Sequence, residues 1–259
     1  MKALTFKVHF LTAQFKDHAS KVTRRTYLIP PPSAVAGFFG AILGLRREEL
    51  AKLAKNILAG AELKSLGGRI VTLSKIYKFD RPTSGLLALI EEYYRDRSKV
   101  WRDIQGLSPI TESEELYMPE YKFAIASSNE SLVEEGVRRL REFDFEYDVF
   151  GGNDYHFVYC VGDPRPAKVY GSREGCGYCP REDLERIEAE SYNVMFNANA
   201  IGPAKSPIVM PVTFLAKVNA EFVQVYGAKI IAKKELTVVD DGESKVFVYE
   251  VDRFLVMQI

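Results

Sequence analysis

The residues best suited to bind a polyanion lie together in one early loop. Four cations there can neutralise phosphate groups and one tyrosine can stack on an unpaired base: Lys16, Lys21, Arg24, Arg25 and Tyr27. Residues 1–47 hold eight lysines and arginines but one acid, Asp17, which gives a net charge of +7, although the whole chain carries 35 residues of each sign. Such a one-sided block predicts attraction of phosphates. A merely solvated surface would show the same pattern.

A second group of basic and aromatic residues lies between residues 80 and 119. Tyr94, Lys99, Trp101 and Arg102 belong to this group. A segment of this length between two strands is usually functional or disordered. The pattern predicts a protruding element that makes contacts, and Trp101 is a second candidate for stacking on bases.

Residues with catalytic potential are few. A metal-independent ribonuclease needs a general acid and base near the scissile phosphate. His18, in the basic loop with Tyr27, is the candidate for such a role, although an exposed loop histidine is more often inert. The sequence contains no P-loop, no GxGxxG and no GxSxG. It therefore predicts binding without a cofactor, with cleavage of RNA as the alternative.

The cysteines leave three interpretations open. Cys176 and Cys179 form a CxxC, and Cys160 and His156 are the other soft ligands nearby. A structural zinc site normally has four ligands, and on an extended strand His156 and Cys160 would lie roughly 13 Å apart. A zinc site and a redox pair are both possible, but we expect unremarkable thiols. Three cysteines agree with a reducing compartment.

The element that must support the basic loop is a helix that follows three prolines. Pro30, Pro31 and Pro32 exclude a helix start before about Pro32 or Ser33. The apolar residues that follow predict a buried helix, and the amides at its start, near Ser33, are suited to bind an anion. Its three glycines share one face, so we expect another element to approach that face closely: Gly37, Gly40 and Gly44.

The order of elements predicts an α+β chain with a ferredoxin-like βαββαβ domain over residues 1–162. The expected strands are 3–10, 69–79, 121–126 and 156–161, and the expected helices follow Pro32, Arg46 and Ser131. Ser131 and Glu134 have the spacing of a capping box. Residues 163–259 predict a small antiparallel β subdomain with a hairpin at Asp240-Asp241-Gly242.

No apolar run has the length that a membrane span requires, and the start of the chain alternates like a strand rather than a signal peptide. We therefore expect a cytoplasmic protein without a membrane partner.

The run from Arg25 to Gly44, RTYLIPPPSAVAGFFGAILG, closely resembles the N-terminal motif of the Cas5 family. These are repeat-associated mysterious proteins (RAMPs) of type I CRISPR surveillance complexes. The motif has a tyrosine, prolines and Pro-Ser or Pro-Thr, followed by an apolar helix that ends in Ala-x-x-Gly. The resemblance is specific over residues 1–60 and follows the same order of elements to about residue 160.

The resemblance implies a ferredoxin-like, RRM-like domain with a protruding thumb hairpin at about 80–119, followed by a β subdomain. It implies a subunit that caps the 5′ handle of CRISPR RNA in the Cascade complex, beside the backbone and large subunits, in antiviral defence. Arg24, Arg25, Tyr27 and Ser33 would lie at the handle. The thumb would carry Lys99, Trp101 and Arg102, and the turn at Gly151 and Gly152 would add a contact. One branch of the family cleaves precursor CRISPR RNA, but no Lys-His pair stands in the corresponding region.

Overall fold

The computed structural model describes residues 1–17, 24–75, 91–92, 94–96, 110–152, 155–189, 207–214 and 220–254. It is a mixed α/β structure with a large sheet and few helices. The longer described helices are α1 (Pro32–Leu43), α2 (Arg47–Leu53) and α3 (Glu130–Glu142), with 3₁₀ turns at Ala54–Asn56, Arg181–Asp183 and Val251–Phe254. Residues 91–92 and 94–95 are helical as well. None of the described helices is long and apolar enough to cross a bilayer.

The described strands are numbered in chain order. They are β1 (Lys2–Phe10), β2 (Thr12–Ala13), β3 (Phe15–Lys16), β4 (Thr26–Tyr27), β5 (Ile57–Ser65), β6 (Gly68–Lys75), β7 (Ile110–Tyr117), β8 (Glu120–Ser127), β9 (Val158–Pro180), β10 (Leu184–Ala189), β11 (Ile208–Phe214), β12 (Ala220–Asp240), β13 (Lys245–Phe247) and β14 (Tyr249–Glu250).

Four of these strands form the centre of the large sheet in the order β9, β1, β8, β5, and each pair is antiparallel. The alternation of β1 places Leu4, Phe6, Val8 and Phe10 on one buried face. There the ring of Phe6 lies 6.3 Å from that of Phe39 in α1. The predicted strands at 3–10 and 121–126 are confirmed, as is a helix that starts at Pro32, because apolar residues repeat with the period of each element.

The other face of these strands is covered by the turn between β12 and β13. The ammonium of Lys122, which is 1% exposed, lies 2.9 Å from a carboxylate oxygen of Asp241, and Thr5 donates a hydrogen bond to Asp241 at 2.8 Å. Burial by itself would raise the pKa of Asp241, but Lys122, Thr5 and backbone donors of the turn hold that pKa below its ordinary value. A small apolar cluster closes the rest of this face: Ala3, Ala124, Ala126, Val239, Val246 and Val248.

The second strand of the central four differs from the predicted one. The prediction placed it at 69–79, but β5 occupies this position, with Ile57, Ala59, Ala61 and Leu63 buried. Residues 68–75 instead form β6, which pairs antiparallel with β7 in a separate ribbon. Its apolar side chains at 71 and 73 are exposed there rather than part of a core. The alanines and glycine of β5 made its alternation hard to recognise.

Strand β9 runs through the predicted boundary between residues 162 and 163. Its first part pairs with β1 and its second part pairs with β12. The main apolar core contains residues from both sides of this boundary, such as Phe6 and Phe222. The hairpin predicted at Asp240 to Gly242 is confirmed, because β12 and β13 pair antiparallel around it.

Two local expectations are corrected at the helices. The capping residue of α3 is Asn129 rather than Ser131, and the Ser131 hydroxyl donates to the Asn129 side chain at 2.7 Å. In α1, Gly44 ends the helix with a left-handed φ of 75°. No described atom lies within 4 Å of the place where a Cβ of Gly37 would stand. The glycines therefore do not form one closely packed face.

Candidate nucleic-acid interface

The basic loop is fixed to the ribbon of β6 and β7 through its backbone. The amide of Arg24 donates to the carbonyl of Glu112 at 2.8 Å, and the amide of Glu114 donates to the carbonyl of Arg24 at 2.8 Å. These two bonds form a parallel bridge between Arg24 and Ser113. The side chain of Arg24 therefore starts from a defined position beside the described part of the ribbon, residues 68–75 and 110–117, which we call its base.

Gln14 joins this loop to two other segments. It is 3% exposed, and its side-chain amide donates to the hydroxyl of Ser113 at 2.7 Å and to the carbonyl of Glu114 at 3.0 Å. Its backbone amide donates to the carbonyl of Gly151 at 2.8 Å. Three predicted contact regions thus meet at Gln14: the basic loop, the base of the ribbon and the turn at Gly151 and Gly152. Nothing in the sequence around Gln14 pointed to it.

The turn needs a glycine where it meets Gln14. Gly152 has a φ of 108°, which L-residues rarely adopt. A Cβ at this position would lie 1.9 Å from the carbonyl oxygen of Gln14. Both the backbone conformation and the space therefore require glycine at this point of the interface.

The positive charge of the interface comes from the loop. Lys16 and Arg25 are exposed and Arg24 is partly exposed. Within the described residues no carboxylate pairs with these three side chains. Several arginines elsewhere on the surface are paired, for example Arg138 with Glu135 at 2.7 Å. The three loop cations are therefore available to an outside anion.

The described part of the ribbon is not basic itself. Arg69 of β6 is 3.1 Å from Glu114 of β7, so these two charges neutralise each other. Glu112 is exposed on the same strand. The described ribbon therefore supplies a position for the loop rather than a cationic surface.

Tyr27 is a structural residue rather than an exposed ring. It is 2% exposed, its hydroxyl donates to the carbonyl of Thr213 at 2.8 Å, and its ring contacts the edge of Phe214 at 5.1 Å between centroids. A buried ring has no free face for a base, so stacking by Tyr27 does not fit the structure. Burial of the hydroxyl also removes Tyr27 from the role of an acid or base at an RNA phosphate.

The residues after Tyr27 are held by a second buried amide. Gln224 is 0% exposed; its side-chain oxygen accepts bonds from the amides of Leu28 at 3.0 Å and Ile29 at 3.3 Å. Its side-chain nitrogen donates to the carbonyl of Ile29 at 2.6 Å, and the Tyr121 hydroxyl donates to the carbonyl of Leu28 at 2.8 Å. The family-like motif is thus a rigid support for the cations that precede it. Sequence reasoning missed Gln224, which lies about 200 residues away in the chain.

The start of α1 offers less to an anion than predicted. The amides of Ala34 and Val35 both donate to the carbonyl of Pro31, at 2.9 and 3.2 Å, and Pro32 has no N–H. Only the amide of Ser33 remains in the first turn, and Ser33 is partly exposed. The anion site expected near Ser33 is therefore reduced to one backbone donor.

The face of the central strands that lies away from α1 is covered around Thr5 and Lys122. Sheets that bind RNA on one face do so with exposed aromatic side chains on adjacent strands. Here Thr5 and Lys122 lie on that face, both buried beneath the turn at Asp241. This part of the face therefore offers no exposed aromatic platform.

Comparison with known proteins agrees with the family suggested by the motif. The sequence model of the family described as CRISPR-associated protein (Cas5) matches residues 3–167, more than half of the chain. This chain belongs to the Cas5 family. No curated protein sequence matches it.

Solved structures similar to this Cas5 chain include two CRISPR proteins. A crystal structure of a CRISPR protein from Archaeoglobus fulgidus is 12% identical, with a TM-score of 0.48, and the match covers 96% of this chain and 100% of the other. A chain of a CRISPR RNA-guided surveillance complex is 13% identical, with a TM-score of 0.43, and the match covers 89% of this chain and 91% of the other. At this level of similarity neither structure assigns a residue or an activity to this Cas5 protein.

The cysteines of this Cas5 protein are separate thiols. Cys160 is exposed, Cys176 is partly buried and Cys179 is buried, and all three are free. Burial raises the pKa of Cys176 and of Cys179 to about 12. Among the described residues, no three histidines, cysteines or acids lie close enough together to hold a metal ion.

His156 has a hydroxyl rather than a cysteine as its side-chain partner. It is buried, its Nδ1 is 2.8 Å from the hydroxyl of Thr12, and desolvation lowers its pKa.

Several predicted site residues lie outside the described part of the chain. They are His18, Lys21, Lys99, Trp101 and Arg102, within residues 18–23 and 97–109. Their predicted roles stay predictions. Arg24, which follows residues 18–23, bridges to Ser113 of the same ribbon whose far end is the pair Lys75 and Ile110.

Proposed function

We propose that this CRISPR-associated protein binds CRISPR RNA and caps its 5′ handle as a subunit of a type I surveillance (Cascade) complex. The observation that carries the proposal is the junction at Gln14. It brings the unpaired cations of the loop, the base of the ribbon and the Gly151-Gly152 turn into one interface. A single-stranded RNA end needs cations for its phosphates and a rigid backbone that can approach it closely.

The proposal also covers the fold of the domain that carries the interface. The order β9, β1, β8, β5, with α1 and α3 in the two connections, supports a ferredoxin-like domain. The ribbon of β6 and β7 is assigned to the thumb, with its tip within residues 76–109. The division into residues 1–162 and 163–259 stays a prediction. Backbone and large subunits of the complex are proposed as neighbours.

The contacts follow from charge and position. Lys16, Arg24 and Arg25 bind phosphates, and Gly152 lets the RNA backbone approach the turn. Lys99, Trp101 and Arg102 are assigned to the thumb side of the same RNA, and Lys21 to the loop side. Three phosphate contacts from the described loop would give a dependence of log affinity on log salt of roughly −2 for single-stranded RNA.

The test is binding of a handle-containing RNA by the full chain across a range of salt concentrations. The double variant Arg24→Ala with Arg25→Ala should bind more weakly, and its salt dependence should be flatter by roughly 1.4, because two phosphate contacts are lost. The matched control is Arg181→Ala with Arg186→Ala, two exposed arginines that pair with Glu221 and Glu188. Equal losses in both double variants, or no loss in the first, would refute the assignment of the loop.

The alternative is a metal-independent endoribonuclease that processes precursor CRISPR RNA. The described residues lend it no support, because Tyr27 is buried and its hydroxyl is bonded to Thr213. The same preparation, incubated with repeat RNA in the presence of a chelator, decides the matter. Site-specific cleavage that disappears in His18→Ala would replace the proposed role with the enzymatic one.

A further inference from the structure

A groove lies on the side of the molecule formed by the chain after α3 and the start of β9. One wall is the segment 143–150, and the other is Phe157 to Val161. The groove encloses about 680 Å³. An antiparallel bridge between Phe150 and Phe157 joins the two walls at one point.

The side chains of the groove are unusually apolar for a surface. Phe143, Tyr147, Phe157 and Tyr159 are all exposed, the last two at 59% and 65%. Isolated exposed apolar residues are normal, but a contiguous group marks an interaction site. This group is separate from the loop cations assigned to RNA, since none of those cations lines the groove.

The backbone of the same wall carries a free strand edge. The first part of β9 pairs with β1 on one side. On its other side β12 pairs with β9 only from Lys168 onward, so in the described part of the chain no strand covers the edge at 158–162. The backbone N–H and C=O groups of a free edge are ready to pair with another strand.

This edge is protected by neither charge nor proline. Proteins guard free edges with charged side chains, prolines or bulges. The register of β9 against β1 shifts between Val158 and Cys160, as at a bulge. The stretch from Phe157 to Gly162 nevertheless contains no charged residue and no proline, and these appear only at Asp163 and Pro164. An uncharged aromatic edge is suited to receive a partner strand.

The acidic residues of the groove favour a partner with positive charge. The acidic side chains that line it are Asp148 and Glu146, the second of which lies 3.4 Å from Arg139, and no lysine or arginine lines the groove. A nucleic acid would be repelled. A second copy of the same groove would bring carboxylates against carboxylates. A strand with alternating apolar and basic residues can pack its apolar side chains against the aromatic rings and place its basic side chains near the carboxylates.

We propose that this groove takes up an extended segment of a partner protein, with alternating apolar and basic residues, which adds as a strand to the free edge of β9. The aromatic rings at 157 and 159 pack against its apolar side chains, and Asp148 attracts its basic ones. This docking surface is distinct from the RNA interface, so a complex could engage both at once.

The test uses the full chain and a fluorescein-labelled decapeptide of alternating valine and lysine. Fluorescence anisotropy should show that the valine-lysine peptide binds. The affinity should be about tenfold or more lower for a valine-glutamate peptide and for a valine-lysine peptide N-methylated on alternate amides. Asp148→Lys and Tyr159→Lys should each weaken binding, whereas Val209→Lys, at an exposed apolar residue of β11 outside the groove, should not. Hydrogen exchange should show new protection of amides within 158–161.

Four results would overturn the proposal. They are no binding at millimolar peptide, equal binding of the three peptides, protection that maps away from β9, and a concentration-dependent dimer in which the 158–161 amides are already protected. The dimer result would assign the edge to a second copy. Circular dichroism of the variants separates loss of binding from loss of fold.

Discussion

Replacing Gln224 by methionine removes the anchor of the motif while keeping the length of the side chain. Gln224 makes three hydrogen bonds to the backbone of Leu28 and Ile29, and all three residues are fully buried. The change leaves two N–H groups and one C=O group without these partners. An unsatisfied buried polar group costs about 1–3 kcal/mol, so the free energy of unfolding should fall by at least about 3 kcal/mol.

The measurement is denaturant unfolding followed by fluorescence, with a thermal melt beside it. At this chain length a loss of 3 kcal/mol lowers Tm by about 6–12 °C. Tyr27→Phe is the graded control, because it removes one hydroxyl bond, to Thr213, and should cost about 1 kcal/mol. A Gln224→Met variant within about 0.5 kcal/mol of the wild type, the range of ordinary surface changes, would refute this account of the motif.

Two further predictions concern the closed sheet face and the turn. Asp241→Asn should lower stability at pH 7 by about 1–3 kcal/mol, because Lys122 loses a buried partner but keeps the more exposed Glu243 at 2.9 Å. The depressed pKa of Asp241 stabilises the fold above its ordinary pKa of 3.8, and this contribution is lost as pH falls below that value. The free energy of unfolding of the variant should thus depend less on pH below about 5 than that of the wild type. Identical acid unfolding transitions in both proteins would contradict this role of Asp241. Gly152→Ala should reduce the free energy of binding to handle RNA by more than it reduces the free energy of unfolding, because its Cβ would displace the turn at the interface. Unchanged affinity would show that the turn makes no contact.

Regular elements with a strong period were predictable from the sequence. β1, β8 and the start of α1 follow apolar alternation or proline placement, which are local properties of the chain. The turn after Asp240 has a local signature as well. β5 is not recognisable from the sequence because Ala59, Gly60 and Ala61 weaken its pattern, whereas the β-branched residues at 70–72 predict a core strand at 69–79.

The supporting residues of the interface could not be read from the sequence. Gln14 and Gln224 act through hydrogen bonds to segments about 100 and 195 residues away, and a lone glutamine carries no signal of such pairing. Tyr27 looked like a stacking ring because it follows two arginines, but its burial depends on Phe214 and Thr213. The charge of the loop was predictable from composition, whereas its attachment to the ribbon is a tertiary feature.

The central claim is that the loop, the ribbon and the turn together hold the RNA end. The most direct test is photo-crosslinking of the full chain to a handle RNA with 4-thiouridine at each position in turn, followed by mass spectrometry of the crosslinked peptides. The account predicts crosslinks within residues 13–27, 76–117 and 150–155, which lessen when Arg24 and Arg25 are both changed to alanine. Crosslinks concentrated on the turn at 240–245 or in the groove at 157–161, and unaffected by those changes, would contradict it.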